Sequence, residues 1–159
     1  MNPCPCGWRG DPSGRCRCTP EAAARYMRKL SGPLVDRIDI QIEIPALPPA
    51  ELTARAAGAN CEPSVAIAAR VRDARARQIA RQRKTNRELS GRETDDVCRL
   101  DSAGETLLRE AGERFRWSAR AHYRVLKVAR TIADLAGAPM PDVSHVAEAV
   151  QYRRVLDAP

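Results

Sequence analysis

Apolar residues recur at helical spacing through most of the chain after residue 62. The clearest pattern lies between Ser118 and Gly137, where one face carries Ala121, Val125, Val128, Ile132 and Leu135. Serine is a frequent N-cap residue, and glycine frequently ends a helix. The pattern therefore predicts one long amphipathic helix between these two residues.

Weaker helical patterns surround this helix. Residues 63–84 predict a long helix rich in arginine. Asn86 and Gly91 break this pattern, and a short helical piece follows at 93–99. A capping box from Ser102 to Glu105 predicts a helix that runs to about Phe115. Asp142 or Ser144 would cap a last helix, whose apolar positions are Val146, Ala149, Val150 and Val155. The second half is thus predicted to be an independent bundle of about four helices.

The first half has a different pattern. Thr19, Pro20 and Glu21 predict a helix start, and the helix should stop at residues 31–33, Ser-Gly-Pro. Residues 38–44 alternate, and isoleucine stands at every second position from Ile38 to Ile44. They predict a strand with one buried face, although a single strand cannot satisfy its own backbone. Prolines at 45, 48 and 49 predict a linker.

Composition and charge limit the class of protein. Hydrophobic residues make up 43% of the 159 residues and aromatic residues only 4%, which suits a mainly α fold of thin helices. The formal net charge of +7 indicates either a polyanionic partner or only an arginine-rich solvated surface. No apolar signal segment follows Met1, and no run reaches the length of a membrane span. We therefore expect a soluble cytoplasmic protein without a membrane partner.

Four cysteines in two C-x-C pairs stand near the start of the chain: Cys4, Cys6, Cys16 and Cys18. In a reducing compartment, four close thiols favour a structural Zn²⁺ site over disulfides or unpaired thiols, and an iron–sulfur cluster is a lesser alternative. Gly7 can take a positive φ, which turns backbone N–H groups toward the sulfurs. Cys61 and Cys98 are isolated and are predicted to be buried small apolar residues.

Several motifs occur in an order that is more specific than any one of them. They are N-P-C-P-C-G, then C-x-C, then RYMRKLSGPLVDRIDIQIEIP, NRELSG and SARAHYRVLKVARTIADLAG. Together they closely resemble the bacterial magnesium-chelatase-like AAA+ ATPases of the ComM/YifB type, which are associated with competence and DNA branch migration. The resemblance covers nearly the whole chain. Departures are mild, such as Val35 where leucine is usual.

The resemblance implies that the chain is the C-terminal part of such an ATPase. It contains no G-x-x-x-x-G-K-[ST] phosphate-binding loop and no strand that ends in paired acids to hold Mg²⁺. Residues 1–45 would be the end of the AAA+ α/β core with a zinc loop at 4–18, residues 46–62 a linker, and residues 63–159 a helical lid. Met1 would then be an internal residue of a longer protein, which would bind ATP and Mg²⁺, form a ring that is expected to be a hexamer, and act on DNA.

The resemblance also assigns roles to three residues. Asn2 resembles the sensor-1 asparagine that orients the attacking water, although an Asn-Pro pair is also a common turn. Arg37 resembles the arginine finger that reaches the ATP of a neighbouring subunit, and the alternative is a salt bridge with Asp36 or Asp39. Arg120 resembles sensor 2, which contacts nucleotide phosphates across a subunit boundary, or it is an exposed helix residue.

Other charged residues have weaker interpretations. An arginine run on the helix at 63–84 could face DNA, but a solvated helix face or ion pairs between subunits is the preferred interpretation; its residues are Arg70, Arg72, Arg75, Arg77, Arg81, Arg83 and Lys84. His122 and His145 lack partners at metal-ligand spacing and are expected to be surface or packing residues.

Two other functions stay open. The chain could be a self-contained zinc-binding nucleic-acid adaptor without ATPase activity. It could also be a truncated paralogue that joins full-length rings and contributes or withholds Arg37.

Overall fold

The computed structural model describes residues 1–44, 47–48, 50–51, 53 and 62–153. This part of the chain is mainly helical. Its helices are α1 (Pro20–Met27), α2 (Gly32–Val35), α3 (Ser64–Gln82), a 3₁₀ turn (Asn86–Glu88), α4 (Gly91–Val97), α5 (Ser102–Arg114), α6 (Ala119–Ala136) and α7 (Val143–Gln151).

Helix α6 is at the centre of the helical bundle. It packs against α3, α4 and α7, and α5 closes the core by packing on α7. Val125, Ala129 and Ala133 of α6 are almost fully buried, and Val146 and Ala149 of α7 face the same core. The small alanine side chains allow the helices to approach closely, and the core is therefore built with few aromatic residues.

The predicted limits of α6 are confirmed. Ser118 caps its first turn by accepting a hydrogen bond from the backbone N–H of Ala121, and Gly137 ends it in the left-handed conformation at φ 73°. The predicted apolar stripe was too wide at its end, because Leu135 is 44% exposed. The buried stripe instead continues through Ala133 and includes the charged residues Arg130 and Asp134.

Other helix ends differ from prediction by a few residues. Asp101 and not Ser102 caps α5, since its carboxylate accepts the backbone N–H of Gly104 at 2.7 Å. Helix α1 ends at Met27, and the predicted stop at residues 31–33 is in fact the start of α2, which Ser31 caps. Of the two predicted caps of the last helix, Asp142 is the one observed.

The predicted strand at residues 38–44 is wrong. The described residues contain no strand at all, and 38–44 have no regular secondary structure. The expected burial is also reversed, because Ile40, Ile42 and Ile44 are 51–80% exposed whereas Gln41 is buried. Alternation alone does not make a strand: the backbone of an extended segment needs a neighbouring strand to hydrogen-bond with, and the described part of the chain offers none.

Most of the predicted linker at 46–62 lies outside the described residues, as do Cys61 and Val155. None of the helices in the described ranges is both long enough and apolar enough to cross a bilayer.

Candidate functional site

The N-terminal loop brings the four predicted cysteines together. Their sulfur atoms all lie within 4.8 Å of one another, and Cys4 is fully buried among them. The Sγ of Cys4 is 3.4 Å from that of Cys6 and 3.8 Å from that of Cys16, and the Sγ atoms of Cys6 and Cys16 are 3.7 Å apart. None of the five cysteines in the described residues forms a disulfide. The four thiols therefore form a single cluster that could hold a metal ion.

The backbone around the cluster turns N–H groups toward the sulfurs. Gly7 has φ 82°, as the sequence predicted, and its N–H closes a turn on the carbonyl of Cys4 at 3.1 Å. The next two N–H groups, of Trp8 and Arg9, donate to the sulfurs of Cys6 and Cys4. Such donors favour thiolates over thiols, which is the form that binds metal.

The thiols differ in acidity. The hydrogen bond from Trp8, with those from the thiols of Cys4 and Cys18, lowers the pKa of Cys6 to about 6. A backbone N–H also favours the Cys18 thiolate, but hydrogen bonding to Cys6, burial and the charge of nearby thiolates outweigh it and raise the pKa of Cys18 to about 11. At neutral pH the four thiols thus do not all ionise unless positive charge is added, which a bound cation supplies.

The second half of the loop is fixed by local polar contacts. The carboxylate of Asp11 accepts the backbone N–H of Ser13 at 2.8 Å, and the guanidinium of Arg15 lies over the ring of Trp8 at 4.8 Å. These contacts bring Cys16 and Cys18 back to the first pair.

Asn2 and Arg120 are both exposed. The side-chain amide of Asn2 lies close to Gly7, since a Cβ atom at Gly7 would fall 3.2 Å from its Nδ2. Arg120 occupies the first turn of α6. Within the described ranges, no hydrogen bond or ion pair joins Asn2, Arg37 and Arg120 to one another.

Arg37 is exposed and follows α2. Its guanidinium contacts only the carbonyl of Pro33, at 3.5 Å, among the described residues. The two acids that could have paired with it are engaged elsewhere: Asp36 pairs with Arg153 at 3.1 Å, and Asp39 pairs with Arg124. The alternative of a local salt bridge is therefore not what the structure contains.

The arginine run on α3 is partly tied to the protein itself. Four of its members have a partner within the chain: Arg70 pairs with Glu62, Arg77 donates to the Asp134 carbonyl, Arg81 pairs with Asp134, and Lys84, which follows the helix, pairs with Glu93. The run is thus not a free stripe of positive charge.

Asp134 is the centre of a buried polar network that sequence reasoning missed. Its carboxylate is fully buried and accepts hydrogen bonds from Arg81 and Arg130 at 2.7 Å and from Asn86 at 2.9 Å. The i,i+4 spacing of Arg130 and Asp134 on the apolar face of α6 was the available signal. Arg153, also buried, was missed as well, because no local pattern marks it.

The histidines have packing roles, as predicted. His145 is buried at the start of α7, where its Nδ1 accepts the backbone N–H of Asp142 at 3.1 Å. His122 packs edge-on against the ring of Tyr123. Cys98 is also buried, as predicted, and burial raises the pKa of its thiol to about 12.

Two family models match this chain. The model described as "Magnesium chelatase, subunit ChlI C-terminal" matches residues 61–153, which is more than half of the chain, and "Magnesium chelatase, subunit ChlI" matches residues 1–52. Their border falls in the predicted linker.

Curated relatives match along almost the whole chain. The uncharacterized protein YifB of Salmonella typhimurium is 42% identical over 156 residues, and YifB of Escherichia coli is 40% identical over 156. Competence protein ComM of Haemophilus influenzae is 37% identical over 157 residues. Each alignment covers 98% of this chain but only 30% of the relative. These matches confirm the resemblance carried by the motifs: the chain belongs to the magnesium chelatase subunit ChlI family.

Proposed function

We propose that this chain acts as the C-terminal portion of an AAA+ ATPase ring that works on DNA. The observation that carries the proposal is the collinear match of both family models, together with relatives of which this chain spans about 30% of the length. One such relative is named as a competence protein, which favours DNA as the partner. In this proposal residues 1–45 complete the ATPase core and residues 63–159 form the helical lid.

Arg37 is the proposed arginine finger. Its exposure supports this role. Asp36 and Asp39 pair with other arginines, so the guanidinium of Arg37 keeps its charge available for a partner. Delivered to the ATP of the neighbouring subunit, it would stabilise the charge that develops on the transferring phosphoryl group. Such a residue is worth roughly 10³–10⁵ in rate.

Asn2 and Arg120 complete the proposed nucleotide contacts. Asn2 would orient the attacking water, and Arg120 would contact the phosphates from the first turn of α6. The exposure of both side chains supports these roles, since each is available to a molecule outside this chain. The ATP and Mg²⁺ themselves would be held mainly by residues that these 159 do not include, such as the phosphate-binding loop.

The cysteine cluster is proposed to bind structural Zn²⁺. Four thiolates at about 2.3 Å from a tetrahedral ion lie about 3.8 Å from one another. The sulfur distances among Cys4, Cys6 and Cys16 are 3.4–3.8 Å and fit this value, and all four sulfurs lie within 4.8 Å of one another. A four-iron cluster would fit less well, because each thiolate would bind a different iron and the sulfurs would lie farther apart.

With all four positions filled by protein, the metal would fix the loop and carry out no chemistry. Reduced thiols agree with a cytoplasmic location.

ATP turnover by the purified chain tests this proposal. Because the sequence contains no phosphate-binding loop, we expect no hydrolysis by the chain alone and ring assembly with hydrolysis in the complete ATPase. Turnover by the isolated chain would contradict the proposal. Salt-dependent DNA binding by a monomeric chain, without any ATPase partner, would instead favour the self-contained adaptor.

A further inference from the structure

The segment Asp36–Gln41, which carries Arg37, is docked on the helical bundle. Its beginning is held by Ser118, the N-cap residue of α6, which donates to the carboxylate of Asp36 at 3.0 Å. Its end is held by the backbone N–H of Gln41, which donates to the carbonyl of Tyr152 at 2.7 Å. Between them, Asp39 pairs with Arg124 of α6. The segment is thus fastened on both sides of Arg37.

Arg153 makes two further docking contacts. It is 4% exposed, and its guanidinium donates to the carbonyl of Ile38 at 2.5 Å and to the carboxylate of Asp36 at 3.1 Å. These two acceptors lie on either side of Arg37 in sequence. One guanidinium therefore bridges the two residues that flank Arg37, which fits the fixed fork of donors that arginine presents.

Packing contributes little at this junction. Ile40 and Ile42 of the segment are more than half exposed, and a cavity of about 220 Å³ lies between Val35 and Asp36 on one side and Phe115 and Trp117 on the other. Without a shared apolar core, the segment depends on its hydrogen bonds to the bundle. The loss of Arg153 should therefore release it.

We propose that Arg153 is a positioning residue that fixes the Arg37 segment to the helical bundle, so that Arg37 moves with the bundle of its own chain. The functional part of this inference rests on the proposed role of Arg37. Ser118 joins the same junction to the first turn of α6, which carries Arg120. A change in the position of the bundle would thus reach Arg37 through Asp36 and Ile38.

Amide hydrogen exchange on the full chain tests the docking. The reporter is the N–H of Gln41, whose acceptor belongs to the bundle. In Arg153→Met this amide should exchange roughly 10–100-fold faster, as the loss of charged hydrogen bonds predicts. Arg153→Lys, which retains the charge but not the fork, should give an intermediate rate. Arg109→Met, at an exposed pair on α5, should have no effect.

Asp36→Ala removes the carboxylate contacts of Arg153 and Ser118 from the segment side and changes no residue of the bundle, so it tests the docking even if Arg153→Met unfolds. It should also release Gln41, whereas the core amides of α6 stay protected. An unchanged exchange rate of Gln41 in Asp36→Ala and in folded Arg153→Met would overturn the docking role of Arg153.

Kinetics of the complete ATPase test the positioning role. Arg153→Met should lower kcat toward the value of Arg37→Ala and leave KM unchanged, and Arg153→Lys should recover part of the loss. If Gln41 is released while kcat stays at the wild-type value, the positioning role is wrong. If Arg37→Ala itself leaves kcat unchanged, the proposed function of Arg37 fails, and the exchange of Gln41 still decides whether Arg153 holds the segment.

Discussion

At the N-terminal cysteine cluster, protons and metal compete for the same sulfur atoms. The pKa of Cys6 lies near 6 and that of Cys18 near 11, so the cluster carries negative charge at neutral pH but keeps part of its protons. A bound dication displaces these protons, and acid returns them. The affinity for metal should therefore fall as the pH is lowered.

Loss of one cysteine should abolish the metal site. We expect the reduced chain to contain about one Zn²⁺ and Cys16→Ser to contain almost none, because three ligands leave the ion open to water and competing chelators. Elemental analysis after dialysis against a weak chelator measures this. Cys98→Ala is the matched control and should keep its zinc, since Cys98 is buried in the bundle core. A metal-free wild-type chain with four freely titratable cluster thiols would refute the zinc site.

Asp134 should be among the most sensitive residues of the bundle. Asp134→Asn removes the carboxylate that pairs with both Arg81 and Arg130 and leaves two guanidiniums without their counter-charge. We expect a loss of about 3–5 kcal/mol in the free energy of unfolding, measured with urea. Asp73→Asn, at an exposed pair on α3, should change it by less than about 0.5 kcal/mol.

The pH dependence gives a second readout of Asp134. Burial opposes its ionisation, but the hydrogen bonds from Arg81, Asn86 and Arg130 outweigh burial and lower the pKa of this carboxyl. A lowered pKa contributes stability at pH values above the ordinary carboxyl range, and this stability is lost as the pH falls through the folded-state pKa. The difference in the free energy of unfolding between wild type and Asp134→Asn should therefore become smaller as the pH falls. A difference that grows in acid would contradict the lowered pKa of Asp134.

Contacts between residues that are close in sequence could be predicted, whereas contacts between distant residues could not. The four cluster cysteines lie within fifteen positions, and their type and spacing are enough to predict a cluster. Asp134 and Arg81 are 53 positions apart, and Arg153 and Asp36 are 117 apart. The partners of such residues are set by how the helices pack, which periodicity does not encode, so both contacts required the structure.

Helices were predictable because their determinants are local. Caps at Thr19, Ser118 and Asp142 and the stop at Gly137 each act within a few residues. The segment at 38–44 could not be predicted in the same way, because a strand depends on a partner strand. Its exposed isoleucines would suit burial against the rest of an ATPase core, in agreement with the proposed function.

A substitution at Gly137 tests whether the left-handed conformation at the end of α6 contributes to stability. Its φ of 73° is unfavourable for residues with a Cβ atom, and Arg77 lies against it, with a guanidinium nitrogen 3.5 Å from where a Cβ would be. Gly137→Ala should cost about 1–2 kcal/mol in the free energy of unfolding, measured with urea. Gly32→Ala has open space and an ordinary φ and should be nearly neutral. Equal effects of the two substitutions would show that the left-handed cap does not matter.

The molecule consists of two parts that match different family models. The cysteine loop and Arg37 belong to the region that matches the ChlI model, and the bundle belongs to the region that matches its C-terminal model. Polar contacts of Arg153, Ser118 and Arg124 with the Arg37 segment join them. The proposed finger, held in this way, would face away from the bundle of its own chain and toward another subunit.

ATP turnover of the complete ring carrying Arg37→Ala is the sharpest check of the proposed arginine finger. We expect kcat to fall by roughly 10³–10⁵-fold while nucleotide binding and ring assembly are retained, because the proposed finger would act on the transition state in a neighbouring subunit. Arg25→Ala, at an exposed arginine of α1, should leave kcat at the wild-type value. A kcat of Arg37→Ala within a few-fold of wild type would contradict the role of Arg37 as the finger.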